Sequence, residues 1–327
     1  ISEGDIIIID KKIFDLHNLS KKLPKNKIIK ILANEKNKSF QNLNNIIRNI
    51  LNIGFRKNKK IIVIGGGITQ DIGSFISSIL YRGVDWIFYP TSFLSQCDSC
   101  IGGKTSINFF EYKNQIGNFH PPRKIIIDIN FLKTQTDKEI RSGVGEMAHY
   151  FFVSSNNDYN FFLKSFKRAL LKEKKISELM IYRCLSIKKF FIEKDEFDRK
   201  ERLLLNYGHT FGHAIEALTH YKIPHGIAVA HGINIANYLS LKKNFITKNY
   251  FYETKKAMDF IIEGYMPQNL KINRFIKMLK RDKKNINQNL RCILTKGPGR
   301  MFIYELAFDK IFKENLSNYF SKYFTNN

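Results

Sequence analysis

The sequence predicts an α/β fold with a mostly parallel sheet for the N-terminal part of the chain and an all-helical fold for the C-terminal part. From Ile6 to Asn130, short β-branched runs alternate with helical stretches, which is the spacing of β-α units. After Thr134 the β-branched runs largely stop, and helical segments with polar faces follow at 157–195, 206–220 and 228–243. We therefore predict two domains, 1–135 and 136–327.

The predicted strands are apolar runs that occur in a regular series along the first domain. They read "IIIID" at 6–10, "IIKILA" at 28–33, "KIIVIGGG" at 60–67, "DWIFYP" at 85–90 and "KIIIDI" at 124–129. Continuous apolar runs of this length are typical of strands buried on both faces of a parallel sheet.

The net charge of +25 over 327 residues would suggest nucleic acid or an acidic membrane surface as a partner. Lysine is instead spread along the whole chain together with Asn, Ile and Phe, all residues of AT-rich codons, so we expect neither partner. No apolar run approaches the length of a membrane span, and the start "ISEGDIIIID" lacks the pattern of a signal peptide. We expect a cytoplasmic protein whose sequence begins after the usual start.

The four cysteines are too sparse for a disulfide framework and fit a reducing compartment. Cys97 and Cys100 form a CxxC pair, but no second pair follows. We do not interpret it as a zinc or redox motif.

The segment "VIGGGITQDIGSF" follows a predicted strand and opens a predicted helix. In this setting glycine lets a helix N-terminus approach a pyrophosphate. The spacing is not the G-x-G-x-x-G fingerprint, so either a dinucleotide site formed with Asp71 or a structural turn fits it. The following loops gather the cations Arg82, Lys104 and Lys113 among glycines, which suits a phosphorylated substrate.

His209 and His213 in "NYGHTFGHAIE" are four residues apart and point to the same side of a predicted helix. Two histidines are too few ligands for a metal, and polar residues at a helix start would give the same pattern. Spacing alone leaves both interpretations open.

The chain resembles the family of 3-dehydroquinate synthases and other sugar phosphate cyclases. The resemblance rests on "GGGITQD", "YRG", "PTSFLSQCDSCIGGKTSIN", "KNQIGNF", "LLLNYGHTFGHAIE" and "PHGIAVAHG", in the family's order and spacing, and runs from about residue 30 to residue 300. It implies an N-terminal dinucleotide-binding domain and a C-terminal helical domain that binds metal and substrate.

The resemblance also implies the ligands of a zinc ion, with cobalt as an alternative. The matching positions are Glu146, His209 and His225. One carboxylate and two imidazoles with open positions suit a Lewis-acid metal. His213 would then face the substrate, handle protons and contact the phosphate.

The reaction implied is the conversion of 3-deoxy-D-arabino-heptulosonate 7-phosphate to 3-dehydroquinate and phosphate, a step of the shikimate pathway to aromatic amino acids. It runs through transient oxidation by NAD, phosphate elimination, re-reduction and aldol closure. By position, NAD would contact Glu35, Lys38, Gly66, Gly67, Asp71, Thr91, Ser92 and Lys113. Phosphate and ring hydroxyls would contact Asp98, Lys104, Asn114, Asn206 and His213. Arg82 would reach a neighbouring subunit's site, which implies a homodimer.

A separate cluster of cations would hold the substrate carboxylate, and the resemblance assigns it to Lys188, Arg202 and Lys283, or less favourably Lys284. Cyclases acting on sedoheptulose 7-phosphate or glucose 6-phosphate have no carboxylate to hold. Arg202 is the informative member because lysine is abundant throughout this chain.

Four positions depart from the family pattern: His149 replaces a lysine that contacts phosphate, Ser142 an asparagine, Asp198 a glutamate, and Ile227 an acidic residue. His149 would act as a replacement phosphate contact, as a supplementary metal ligand, or as a structural histidine. These departures keep three other functions open: a cyclase of another sugar phosphate, a related metal- and NAD-dependent dehydrogenase, and a noncatalytic homologue.

Overall fold

A computed structural model describes residues 2–110, 112–268, 270–281 and 289–324. The chain divides into two compact units, Ile1–Gln135 and Thr136–Asn327. Among the residues that the structure describes, every helix is too short or too polar to cross a membrane.

The described residues of the first unit form seven strands and three α-helices. Its strands are β1 (Ile6–Asp10), β2 (Ile28–Ile31), β3 (Ile61–Gly65), β4 (Trp86–Pro90), β5 (Ile107–Phe109), β6 (Tyr112–Ile116) and β7 (Lys124–Ile125). Its helices are α1 (Lys11–Leu16), α2 (Phe40–Asn52) and α3 (Gly67–Ile79).

Five of these strands form a parallel sheet in the order β2-β1-β3-β4-β7, which confirms the predicted α/β class. β1 lies between β2 and β3, with Ile7 opposite both Ile28 and Ile62. One face of the sheet packs into a cluster that includes Ile9, Phe14 and Ile64. Burial on both faces explains why these strands read as unbroken apolar runs. β5 and β6 pair as a separate antiparallel hairpin.

The second unit is mainly helical, as predicted, but it also contains a hairpin. The helices are α4 (Asp137–Ser154), α5 (Asn156–Leu170), α6 (Lys174–Lys194), α7 (His209–Leu218), α8 (His225–Lys242), α9 (Lys248–Ile262), α10 (Ile272–Lys280) and α11 (Lys310–Tyr323). Strands β8 (Leu290–Thr295) and β9 (Met301–Leu306) pair antiparallel. The prediction of an all-helical domain was therefore wrong for this segment. Its signal was two β-branched and aromatic runs around the turn "KGPG".

Helix α8 forms the centre of the second unit, and every residue from Gly226 to Ser240 is buried. Even its polar residues His231, Asn234, Asn237 and Ser240 are buried, as expected of a helix surrounded by others. α4 begins at Asp137 because the Thr136 side chain accepts from the backbone N–H of Glu139, whose carboxylate binds back to the Thr136 N–H. This capping box fixes the start of the helix that carries Glu146.

Candidate active site

Glu146 lies at the centre of a buried cluster of histidines in the second unit. Its Oε1 is 3.4 Å from Nε2 of His209, and its Oε2 is 3.3 Å from Nε2 of His225. Burial alone would raise the pKa of Glu146, but His225 and His209 together hold it well below the usual value. The side chain is therefore a carboxylate, and the structure brings together the three residues predicted to bind metal.

Close helix crossings put these three side chains in one place. A Cβ on Gly226 of α8 would lie 1.7 Å from the Ser142 carbonyl oxygen of α4. A Cβ on Gly232 would lie 1.9 Å from the Gly208 carbonyl oxygen, just before α7. Only glycine permits these backbones to approach so closely, and the crossings bring α4, α7 and α8 within ligand distance of one another.

Hydrogen bonds at Nδ1, the ring nitrogen that faces away from Glu146, determine the tautomers of the two predicted histidine ligands. His209 Nδ1 lies 3.3 Å from the Tyr207 carbonyl oxygen, and His225 Nδ1 lies 3.1 Å from Glu216 Oε2. Neither oxygen carries a hydrogen, so each Nδ1–H donates and each Nε2 keeps a lone pair when the ring is neutral. This arrangement is typical of metal-bound histidine.

Glu216 is a site residue that the sequence interpretation missed, although it stands three residues after His213 in the quoted motif. Together with Glu146 it flanks the His225 ring. Burial alone would lower the pKa of His225, but these two carboxylates raise it well above the usual value. The pKa of His209 is lowered, chiefly by burial.

The cluster fits a divalent metal ion on its own chemistry. Glu146 Oε2 is buried and accepts no hydrogen bond among the described residues. Donor atoms of His209, His213 and His225 lie within 4.8 Å of one another, as do those of Glu146, His149 and His209. One carboxylate oxygen and two imidazole nitrogens suit Zn²⁺ or Co²⁺.

His213 is exposed, and its ring centroid lies 5.4 Å from those of both His209 and His225. His149 differs, because only 1% of it is exposed and its Nε2 lies 3.3 Å from Glu146 Oε1. The burial of His149 favours a role beside the carboxylate over contact with a phosphate.

In the first unit, the glycine turn lies between the end of β3 and the start of α3. Gly66 is the N-terminal cap of α3, and a Cβ on Gly67 would meet nothing within 4 Å. The Thr91 N–H donates to the Gly65 carbonyl oxygen at 3.0 Å, which keeps the Thr91–Ser92 segment beside the turn. The N-terminal amides of α3 thus start from a turn without bulky side chains, a feature of sites that bind phosphate groups.

A polar network extends from this turn. Lys38 Nζ lies 2.5 Å from Asp71 Oδ2 and donates to Asn114 Oδ1 at 2.6 Å. Burial raises the pKa of Asp71 to about 6, while Lys38 opposes the shift. The structure therefore joins Asn114, predicted to contact substrate, to two residues predicted to contact NAD.

Asn108 is a second residue that the sequence interpretation missed. Its Nδ2 donates to Glu35 Oε1 at 2.9 Å, and its Oδ1 accepts from the Asn114 N–H at 2.9 Å. Lys113 Nζ is 3.7 Å from the other oxygen of Glu35. Asn108 thus holds the β5–β6 hairpin against the segment that carries Glu35 and Lys38.

The remaining predicted residues of the first unit lie on irregular segments. Asp98 is in a π-helical turn, Ser95–Ser99, and Gln70 donates to the Ser99 carbonyl oxygen at 2.5 Å. Lys104 is exposed and pairs through its backbone with Phe119. Arg82 is exposed as well, with φ of +63°.

Arg202 and Lys188 are buried cations of the second unit, 4% and 7% exposed. Arg202 Nη1 donates to the Glu196 carbonyl oxygen at 2.6 Å, and its backbone N–H donates to Asp195 at 3.2 Å. Asn206 Nδ2 donates to the Leu203 carbonyl oxygen at 3.0 Å. Lys283 and its alternative Lys284 lie outside the described residues.

The other departures from the family pattern have identifiable positions. Ser142 Oγ accepts from the Gly226 N–H at 3.1 Å, so it joins α4 to α8 beside the cluster. Ile227 is fully buried in α8. Asp198 has φ of +59° in the segment before Arg202.

Two family models together match residues 28–285 of this chain. The model "3-dehydroquinate synthase N-terminal" matches residues 28–142, and "3-dehydroquinate synthase C-terminal" matches 143–285. A curated 3-dehydroquinate synthase of Dictyoglomus thermophilum is 38% identical over 302 residues, which cover 91% of this chain and 84% of that protein. The chain belongs to the 3-dehydroquinate synthase family.

Solved structures of lower sequence identity share the fold of this chain. A 2-deoxy-scyllo-inosose synthase, complexed with carbaglucose-6-phosphate, NAD⁺ and Co²⁺, has a TM-score of 0.85 at 23% identity, covering 97% of this chain and 90% of that one. The 2-epi-5-epi-valiolone synthase of Streptomyces hygroscopicus, with NAD⁺ and Zn²⁺ bound, has a TM-score of 0.88 at 18% identity, covering 98% and 92%.

Proposed function

We propose that the protein is a 3-dehydroquinate synthase, a phosphate-eliminating carbon–oxygen lyase of the shikimate pathway. Its substrate would be 3-deoxy-D-arabino-heptulosonate 7-phosphate, and its products 3-dehydroquinate and phosphate. The observation that carries this proposal is the convergence of Glu146, His209 and His225 in a chain of this family, with both Nδ1–H groups already bound to outer oxygens.

Two cofactors belong to the proposal: a zinc or cobalt ion and NAD. Relatives of the same fold have been crystallised with NAD⁺ and Co²⁺ or Zn²⁺. When bound, the ion would polarise a substrate oxygen as a Lewis acid, and NAD would accept and return a hydride. Glu146, His209 and His225 would hold the ion.

The first unit would hold NAD. The α3 N-terminus after Gly66 would receive the pyrophosphate, because its first N–H groups point out of the helix end. Lys38 holds the Asp71 carboxylate and Asn114 in one position. Thr91 and Ser92 would contact the cofactor beside the turn, with Glu35 and Lys113 at the hairpin.

The substrate would be held at its two charged ends. Arg202 and Lys188, both buried, would bind the carboxylate, because a buried guanidinium favours a planar anion. Lys104 and Asn206, with Asp98 and Asn114, would bind phosphate and hydroxyl groups. His213 is exposed beside the metal cluster and would transfer protons near the leaving phosphate.

We also propose a homodimer in which Arg82 of one subunit serves the neighbouring site. The exposure of Arg82 supports this role. Mixing inactive Arg82→Ala chains with chains inactive through His209→Ala should restore partial activity, because a mixed dimer contains one intact site. Mixtures that remain inactive after subunit exchange would contradict a shared site.

The experiment that tests the function measures phosphate release by the purified full chain with NAD and Zn²⁺. The substrates are the heptulosonate phosphate, sedoheptulose 7-phosphate and glucose 6-phosphate. We expect release from the first, with 3-dehydroquinate as the carbon product. Release only from another sugar phosphate would identify a different cyclase. Net NAD reduction without phosphate release would indicate a dehydrogenase, and no reaction would indicate a noncatalytic homologue.

A further inference from the structure

His149 makes an unusual set of contacts for a buried histidine. It stands one helical turn after Glu146 on α4, and its Nε2 lies 3.3 Å from Glu146 Oε1. Its ring meets the His209 ring edge to face, with centroids 4.9 Å apart. Together with His225 on Oε2, three imidazoles therefore surround one carboxylate.

The far nitrogen distinguishes His149 from the other two. His209 and His225 each donate Nδ1–H to an outer oxygen, whereas His149 Nδ1 is buried and has no hydrogen-bond partner among the described residues. Binding metal through Nε2 would require a hydrogen on this Nδ1. A buried N–H without an acceptor is destabilising, so the contacts disfavour a ligand role.

The opposite tautomer satisfies the site better. A hydrogen on Nε2 of His149 points to Glu146 Oε1, and only a lone pair is left on Nδ1. His209 carries its hydrogen on Nδ1, which donates to the Tyr207 carbonyl oxygen. The Nε2 of the neutral His209 ring therefore has no hydrogen to donate to Glu146 Oε1. With the ligand rings neutral, His149 then supplies the N–H that binds Oε1.

We propose that His149 is a positioning residue of the metal site, whose Nε2–H holds Glu146 Oε1 and leaves Oε2 available to the ion. This inference rests on the proposed function only through the metal ion. Oε2 is the oxygen that accepts no hydrogen bond and lies 3.3 Å from His225 Nε2. A hydrogen bond to a ligating carboxylate orients it, and losing such a bond typically weakens metal affinity about 10- to 100-fold.

The test titrates Co²⁺ into the metal-free full chain against a competing chelator, without substrate. We expect His149→Leu to weaken Co²⁺ binding about 10- to 100-fold and to leave the d–d absorption bands in place, because the ligands are unchanged. His149→Gln keeps an N–H donor and should recover part of the affinity. Met147→Leu, a buried apolar change on the same helix, controls for repacking and should bind as the wild type does.

Three results would overturn the inference. One is unchanged Co²⁺ affinity in His149→Leu, and another is a shifted d–d spectrum, which would make His149 a ligand. The third is a Co²⁺ affinity in His149→Gln as low as that in His149→Leu, which would show that the hydrogen bond to Glu146 is not the cause of the loss. A wild-type chain that binds Co²⁺ but releases no phosphate would contradict the proposed function alone. A wild-type chain that binds no Co²⁺ would contradict both the inference and the proposed metal.

Discussion

His225 Nδ1 lies 3.1 Å from Glu216 Oε2. Glu216 stands on α7, one helical turn after the exposed His213. The opposite nitrogen of the His225 ring faces Glu146 at 3.3 Å. A carboxylate on each side fixes both the rotation and the tautomer of this imidazole, so in the proposed metal site Glu216 would orient His225 without contacting the ion itself.

Glu216→Gln should therefore weaken metal binding about 10- to 100-fold, because the ring loses a charged acceptor that fixes its orientation. The chain should remain folded. Chelator competition measures the affinity, and circular dichroism checks the fold. Affinity equal to that of the wild type would show that Glu216 does not orient His225.

His209→Ala should remove the metal from the purified protein, because Glu146 and His225 alone supply too few ligands. His213→Ala should retain about one ion per chain but lose activity, since His213 is assigned to substrate. Elemental analysis of both variants provides the comparison. Full metal occupancy in His209→Ala, or loss of metal in His213→Ala, would contradict the assignment of His209, and not His213, as a metal ligand.

Arg202→Ala should lower kcat/KM for the heptulosonate phosphate by orders of magnitude. Truncating one partner of a buried charge pair typically costs about 2 to 5 kcal/mol. NAD affinity should not change. Arg199→Ala removes an exposed arginine from the same segment and serves as the matched control. Intact turnover in Arg202→Ala would favour a substrate without a carboxylate.

Gly226→Ala should destabilise the second unit and reduce its metal content, because the new Cβ would lie 1.7 Å from the Ser142 carbonyl oxygen. Overpacking typically lowers the free energy of unfolding by about 1 to 3 kcal/mol. The contact here is with a backbone atom, which cannot move aside as a flexible side chain can. Gly67→Ala is the control, since its Cβ would meet nothing within 4 Å. Equal melting temperatures of the two variants would contradict the close crossing.

His231 should make stability depend on pH. Burial chiefly lowers its pKa from 6.5 to about 4, with a smaller contribution from Lys255, against the opposing bond to the Tyr265 carbonyl oxygen. Below pH 6.5 the His231 side chain binds a proton in the unfolded chain but not in the folded chain. The contribution of His231 to the free energy of unfolding is therefore complete above pH 6.5 and is lost as the pH falls towards 4. Between pH 7.5 and 5, the loss should be about 2 kcal/mol.

Urea unfolding at the two pH values measures this effect. His231→Gln should show a shallower pH dependence than the wild type, whereas His220→Asn, at an exposed histidine, should not. Identical pH dependence in His231→Gln and wild type would contradict the assignment.

Much of the fold could be predicted from local sequence because its signals are local. Runs such as "IIIID" and "KIIVIGGG" are apolar over the length of a buried strand, and the structure confirms β1 and β3 there. The β8–β9 hairpin was missed because two short strands in a helical context give a weak signal, and their stability depends on packing against neighbours.

The sequence by itself determined which groups are available to the site: the carboxylate, the imidazoles, the buried cations and the glycines, together with the family they indicate. Tertiary structure alone decided how they meet. The Gly226 and Gly232 crossings bring α4, α7 and α8 together, and only that approach places Glu216 behind His225 and His149 against Oε1 of Glu146. Ligand distances, tautomers and pKa shifts depend on such contacts between residues far apart in the chain, because electrostatic and hydrogen-bond energies are set by separations in space.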